Sequence, residues 1–343
     1  MKTERKRNPA EISKLKICIL GSYKGAKDEG MANVAYYLYE NLIDLFPAIV
    51  LLDISEIWKW KFWKEMNRLH PDILHYVPGP TLKGLMVAKV LQMATRSRLV
   101  VSATKPVLPS FFGKISRFIR PDIVIVQSSK SEIVFKKAGY RTTFIPNGVN
   151  TDKFVPVSAL KKSELRRKYG IEDKEFIVLH IGPLKKGRNQ RALLALKDQK
   201  ILLVTSISNP SEKDLFDDVS THRNVIVWNK YFENIQEIYA IADVYIFPVF
   251  EELNSIEIPL SVLEAMSCNL PVISTHYGGL NKILQEGSGF FYMEDEQQLF
   301  AICEEIRSGK IIVNTRKKVE PYSWKSISRM ISNTFLSLYG WET

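Results

Sequence analysis

Val249 to Thr275 reads VFEELNSIEIPLSVLEAMSCNLPVIST, just after the apolar run Val244–Phe247. Pro259 suits the first turn of a helix, where its missing N–H has no intrahelical partner anyway. Leu260, Val262, Leu263, Ala265 and Met266 then cover most of the circumference at about 100° per residue, which predicts a buried helix. Ser261, Glu264 and Cys268 form its one polar stripe, and Glu264 is its single charge. Pro271 to Ser274 returns to a short apolar run. A short apolar run, a buried helix and a second short run make a β–α–β unit. Such units predict a parallel sheet covered on both faces. A carboxylate on a greasy helix is expensive unless something satisfies it. A ligand diol such as a ribose can do so, since a carboxylate accepts from two hydroxyls at once. A structural pair with a nearby Lys or Arg does so equally well.

The same alternation extends in both directions. Strands are expected at Lys16–Leu20, Ala48–Leu52, Ile73–Val77, Leu99–Ser102 and Ile123–Val126, with a helix at Met31–Leu45. A second series holds Phe176–His180, Ile201–Thr205, Val225–Trp228, Val244–Phe247 and Pro271–Ser274, with a helix at Gln190–Lys197. Between the series, Pro146-Asn147-Gly148 has strong turn chemistry. The 343 residues exceed a comfortable single core. The halves share a pattern without a close sequence repeat. The expected fold class is α/β, with residues 1–155 and 156–321 as two Rossmann-like domains whose parallel sheets face each other across a cleft. The last apolar-periodic stretch, within 322–343, is expected to pack back on the first domain. Ligands of such sheets bind at the carboxyl ends of strands, beside helix N-termini.

Glu264-Ala265-Met266-Ser267-Cys268-Asn269-Leu270-Pro271-Val272-Ile273 resembles the second half of a signature of retaining glycosyltransferases of the GT-B fold, the group 1 or GT4 type. There the pattern is Glu, seven residues, Glu, then Ala-Met-Ala-x-Gly-x-Pro-Val. The resemblance implies that Glu264 binds the donor ribose, beside Ile258, Pro259, Leu260 and Ser261. The family's first Glu falls at Ile256, and a Glu stands one place later, at Glu257, where the family loop has Gly-Phe-Gly. Either Glu257 does that job through a shifted loop, or the sugar-facing contact differs, with Glu251 and Glu252 close by as substitutes. Phe144 to Phe154, FIPNGVNTDKF, resembles the family's interdomain run. Ile181 to Arg188, IGPLKKGR, resembles its phosphate loop from Gly182 onward, with Pro183 where the family has Arg. The phosphate role therefore transfers to Lys186 and Arg188, with Lys185 in reserve; a solvated face is the alternative for such a run. Gly278, in Tyr277-Gly278-Gly279, matches a small-residue turn near the donor. Asp28, Glu29 and Gly30 match an acceptor-side loop, and a solvated loop reads equally well. His75 is a candidate cleft histidine by the same resemblance, and a satisfied core histidine is the alternative.

The implied activity is retaining transfer of a sugar from a nucleoside-diphosphate sugar to an acceptor hydroxyl of a glycan or lipid-linked molecule. No cofactor and no metal are expected. There is no Asp-x-Asp, and the histidines lack ligand spacing. The alternative is a catalytically inactive GT-B subunit that binds a sugar nucleotide or a partner. A nicotinamide oxidoreductase would want G-x-G-x-x-G after the first strand, which Gly21 to Gly25 lacks. A net charge of +11 attracts phosphates of any kind, and no nucleic-acid module accompanies it.

Cys18, Cys268 and Cys303 are isolated, which suits a reducing compartment. No apolar run reaches the roughly 20 residues of a membrane span, and the N-terminus does not read as a signal peptide. The expected location is cytoplasmic, with peripheral contact to the inner membrane face. Trp58 to Lys64, WKWKFWK, alternates three Trp and three Lys within seven residues. That is the composition of an interfacial contact with an anionic membrane surface. A surface helix with its aromatics packed inward is the other reading.

Overall fold

A computed structural model describes residues 14–22, 30–105, 118–205 and 211–340, with side chains in the first helix from residue 33 onward. The chain divides into two compact units, residues 1–148 with 324–343, and residues 149–323. Each carries one six-stranded parallel sheet.

In the first unit the strands are β1 (Ile17–Gly21), β2 (Ile49–Asp53), β3 (Ile73–Tyr76), β4 (Arg98–Ala103), β5 (Ile123–Val126) and β6 (Thr142–Phe144), in the order β2-β1-β3-β4-β5-β6. The central strands are short apolar runs because helices cover them on both sides. Alternate residues sort the two faces. Cys18, Leu20, Leu74, Tyr76, Leu99 and Val101 pack with Phe62 and Met66 of helix Trp60–Leu69 and with Leu85, Ala88 and Leu91 of helix Leu82–Thr95. On the opposite face, Ile19 lies in register with His75. The C-terminal helix Trp324–Ser337 covers that side, where Phe335 meets the His75 ring at 5.6 Å and Phe46 at 6.2 Å.

The run Pro146-Asn147-Gly148 is not the turn its composition predicts. Residues 145–148 run without one. Asn147 is buried and accepts from Gln127 Nε2 at 2.6 Å. Gly148 serves close approach, because a Cβ there would lie 2.6 Å from the Trp324 ring. The turn comes two residues later, where the Asn150 side chain accepts from the N–H of Asp152 (3.2 Å) and of Lys153 (2.9 Å).

In the second unit the strands are β7 (Ile177–Ile181), β8 (Lys200–Thr205), β9 (Val225–Asn229), β10 (Val244–Phe247), β11 (Val272–Ser274) and β12 (Phe290–Tyr292), in the order β12-β11-β10-β7-β8-β9. Strand order reverses at β7, which lies between β8 and β10. The helix expected over Gln190–Lys197 is a 3-10 stretch, Gln190–Ala195. Asn189 before it is left-handed at φ 58°, and β8 begins at Lys200. Ala192, Leu193 and Leu196 are buried all the same. Helix Leu260–Ser267 is buried on nearly every side, as its composition predicts. Among the described residues no helix is long and apolar enough to cross a membrane.

Candidate functional site

Strand order reverses between β7 and β10, and open α/β sheets bind ligands at the carboxyl ends of strands beside such a reversal. Gly182 follows β7 at φ +152°, a conformation that favours glycine. A Cβ on it would lie 2.5 Å from Arg188 Nη2, so the guanidinium rests directly over this glycine. Arg188 closes the 3-10 turn Lys186–Arg188 and is only 5% exposed. Its Nη1 donates to the Asn254 carbonyl at 2.7 Å, and its guanidinium sits 5.6 Å from the Phe247 ring. Burial pulls its pKa below the usual value; it nonetheless stays a cation. Among the described residues no carboxylate lies within ion-pair distance of Arg188, and its Nε has no hydrogen-bond partner. A buried, incompletely satisfied cation has the chemistry to receive an anion. Lys186 is exposed on the same turn, and Lys185 is half-buried.

The loop after β10 is held against this turn. A Cβ on Gly187 would collide with the side chains of Asn254 and Glu251. Tyr277 fixes the loop from the other side: its hydroxyl lies 2.6 Å from the Glu252 carbonyl and accepts from the Ser255 N–H at 2.9 Å. Glu257 is buried, and its carbonyl accepts from Gly279 N at 2.9 Å. Gly278, at φ +59°, lies so close to that carbonyl that no side chain fits there. Ile258, Pro259 and Leu260 are buried at the entry to the next helix.

Two tyrosines serve that helix. Glu264 is half-buried, and its Oε2 accepts from the Tyr239 hydroxyl at 2.7 Å. Ser261, one turn earlier, accepts from the Tyr245 hydroxyl at 2.7 Å. Burial raises the Glu264 pKa to about 6, with the Tyr239 bond and the nearby charge of Lys153 opposing it. Among the described residues no cation pairs with Glu264 within 4.0 Å, so the internal ion pair left open by the sequence does not form here. Aromatic rings line the space around both groups. Tyr239 and Tyr245 are 6.0 Å apart, and the Tyr245 ring stacks on His180 at 6.3 Å. Phe247, beneath Arg188, meets Tyr277 at 5.4 Å. Tyr245 lies within electrostatic reach of both the Arg188 cation and the Glu264 carboxylate. His180 Nδ1 donates to the Ile246 carbonyl at 2.8 Å, and burial lowers the ring's pKa to about 3, so it is neutral.

His75 stands apart from these groups. It is fully buried in β3, with Nε2 2.8 Å from Ser102 Oγ and its ring against Phe335. Burial lowers its pKa to about 3. With no solvent access it packs between Ser102 and Phe335, and its Nδ1 has no hydrogen-bond partner among the described residues. Asp28 and Glu29 lie outside the described residues, and Gly30 opens the first helix. No three His, Cys, Asp or Glu converge as a metal site among the described residues.

Sequence reasoning missed Tyr239, Tyr245, Asn254, Tyr277 and Arg316. Arg316 donates to the carbonyls of Phe154 (2.8 Å), Ser267 (2.8 Å) and Thr151 (3.0 Å), tying the end of the Glu264 helix to segment 151–154. The one available signal was two tyrosines flanking β10's entry, six residues apart. Their partners depend on packing.

Residues 177–308 match the profile of the family described as Glycosyl transferases group 1. The chain is 26% identical over 285 residues to the alpha-galactosylglucosyldiacylglycerol synthase of Streptococcus pneumoniae, covering 80% of this chain and 70% of that protein. Among solved structures, Anabaena Alr3699/HepE in complex with UDP-glucose superposes with a TM-score of 0.70 at 19% identity, over 94% of this chain and 100% of that one. The sucrose-phosphate synthase of Thermosynechococcus elongatus gives a TM-score of 0.75 at 17% identity, over 95% and 99%. At these identities the superpositions establish the GT-B fold.

Proposed function

The chain belongs to the glycosyl transferases group 1 family, and from that premise we propose that it transfers a sugar, with retention, from a nucleoside-diphosphate sugar to an acceptor hydroxyl. The observation that carries the reading is Arg188, a buried guanidinium at the strand-order reversal with no carboxylate in ion-pair distance among the described residues. A leaving diphosphate supplies the missing anion. Arg188 and the exposed Lys186 neutralise it as charge develops, in a site where preorganised donors need little reorganisation. Gly182 lets the guanidinium lie flat against the end of β7. The backbone N–H groups at the start of the helix, around Ser261, add donors. Glu264 accepts from the ribose hydroxyls with the oxygen that Tyr239 leaves available. Glu257, in the loop held by Gly278, orients the sugar. The acceptor hydroxyl attacks from the face the diphosphate leaves, and a phosphate oxygen takes its proton.

The reading of a lipid-linked acceptor is supported by the Streptococcus relative, which is named for a galactosylglucosyldiacylglycerol. The complex of HepE with UDP-glucose supports a UDP-sugar as the first donor to try. Thermal-shift measurements with UDP-, GDP- and ADP-sugars identify the nucleotide, because ligand bound to the native state raises Tm. Turnover of Arg188→Ala and Glu264→Ala with that donor tests the roles; rates near wild type refute them. A second reading has one specific observation in its favour. Ile256 is buried and apolar where the family's first Glu falls, and Pro183 replaces its Arg. A subunit that binds the donor without catalysis would show a thermal shift with neither transfer nor donor hydrolysis.

A further inference from the structure

The WKWKFWK segment takes no part in the donor network, and the structure divides its aromatic residues. Phe62 is buried, and Trp63 turns inward, its Nε1 donating to the Ile57 carbonyl at 2.8 Å. Trp58 and Trp60 point the other way and are 93% and 74% exposed. Two indoles this exposed are unusual on a folded surface, since each leaves a large apolar area in water. Lysines surround them. Lys59, Lys61 and Lys64 are exposed, and the Lys64 ammonium lies 5.4 Å from the Trp60 ring. The two acids on this stretch, Glu56 and Glu65, are already paired with Lys59 and Arg68.

The neighbouring helix repeats the arrangement. Helices Trp60–Leu69 and Leu82–Thr95 cover the same face of the first sheet, so their outward sides form one flank of that unit. On the second helix, Met86, Val90 and Met93 are 48%, 59% and 71% exposed. Their spacing of four and three residues puts them on one stripe. Lys83 is exposed at the start of the same helix.

We infer that this flank docks on an anionic lipid bilayer, with Trp58 and Trp60 inserted at the level of the headgroups and the Met86–Val90–Met93 stripe against the acyl boundary. The chemistry favours a bilayer over a protein groove. Exposed indoles interleaved with ammonium groups meet the apolar and anionic demands of one interface together. The net charge of +11 has the matching sign. The flank is independent of the donor network, so this inference stands or falls separately from the proposed transfer.

Co-sedimentation of the full chain with phosphatidylglycerol–phosphatidylcholine vesicles, against phosphatidylcholine alone, tests it. Binding is expected to the anionic vesicles and to weaken as salt rises from ~0.1 to ~0.5 M. Trp58→Ser/Trp60→Ser is expected to lower vesicle partitioning at least about tenfold. Its Tm and its thermal shift with a nucleotide-sugar should match wild type, because both residues are exposed. Met93→Ser is expected to give a smaller loss. Absence of binding to either vesicle overturns the inference. So does binding unchanged in the double Trp variant, which would mean that diffuse charge alone attracts the protein. A drop in oligomer size in that variant, without vesicle binding in wild type, would assign the flank to self-association and overturn it as well.

Discussion

Two buried arginines in the second unit have opposite surroundings. Arg166, on helix Ala159–Lys168, is 4% exposed and saturated. It donates to the carbonyls of Ile241 (2.9 Å), Asp173 (2.8 Å) and Glu175 (3.0 Å) and to the Asp243 carboxylate at 2.6 Å. Asp243 is completed by Lys162 and by the Ile177 N–H, both at 2.7 Å. Arg188 is equally buried, yet it has one hydrogen bond to a carbonyl and no carboxylate among the described residues. Burial is therefore not what distinguishes the two arginines; completeness of satisfaction is. Folding consumes the donors of Arg166 and leaves Arg188 Nε without a partner among the described residues.

Four variants separate these charges, the largest effect first. Arg166→Ala strands Asp243 with only part of its compensation and should destabilise the protein by about 3–5 kcal/mol, read by denaturant unfolding. Arg188→Ala should lower turnover about 10²- to 10³-fold while stability stays within about 1 kcal/mol. If both variants lose stability equally, the distinction between the two arginines fails.

Glu264→Gln sharpens the same contrast with the opposite charge. Burial raises the folded-state pKa from 4.5 to about 6. The neutral acid is thus the form that folding favours, and its contribution is present below pH 4.5 and lost as pH rises through about 6. Glutamine keeps the neutral form at every pH. The variant should therefore be more stable than wild type by at most about 2 kcal/mol at pH 7.5, and no more stable at pH 4. Donor affinity should fall in the variant, and in wild type it should weaken as pH drops below about 6. Urea titrations at the two pH values, paired with donor binding, check both signs. Tyr239→Phe should have the smallest effect, about 0.5–1.5 kcal/mol in donor affinity, with the acid limb of the binding profile moved upward, because the lost hydroxyl favours the carboxylate. An unmoved acid limb would remove Tyr239 from the site.

Reading from the sequence worked best where one residue's pattern meets a generic demand. The central strands are short apolar runs that any two-sided sheet requires, and they lie within a residue or two of expectation. Edge strands β6 and β12 hold three residues each, too few to carry a pattern. Helix Leu82–Thr95 is apolar on its outward side as well, at Met86, Val90 and Met93, which erases the periodicity that would have revealed it. The helix expected over Gln190–Lys197 is instead a run of 3-10 turns that follows the left-handed Asn189. Gly148 shows the same limit at one position. Its neighbours spell a turn, whereas its hydrogen side chain is needed for the nearness of Trp324, 176 positions along the chain.

The sequence alone determined the parallel α/β sheets, the family resemblance around Glu264 and the candidate cations Lys186 and Arg188, because strand and helix periods and local motifs are properties of neighbours in the chain. Tertiary structure alone decided which charges remain unsatisfied. It enclosed His75 and completed Arg166, while leaving Arg188 open and giving Glu264 a tyrosine instead of a cation. It also turned Trp63 inward and Trp58 and Trp60 outward within one short segment. The physical reason is that a polar group's energy depends on the partners packing brings to it, and those partners come from distant parts of the chain.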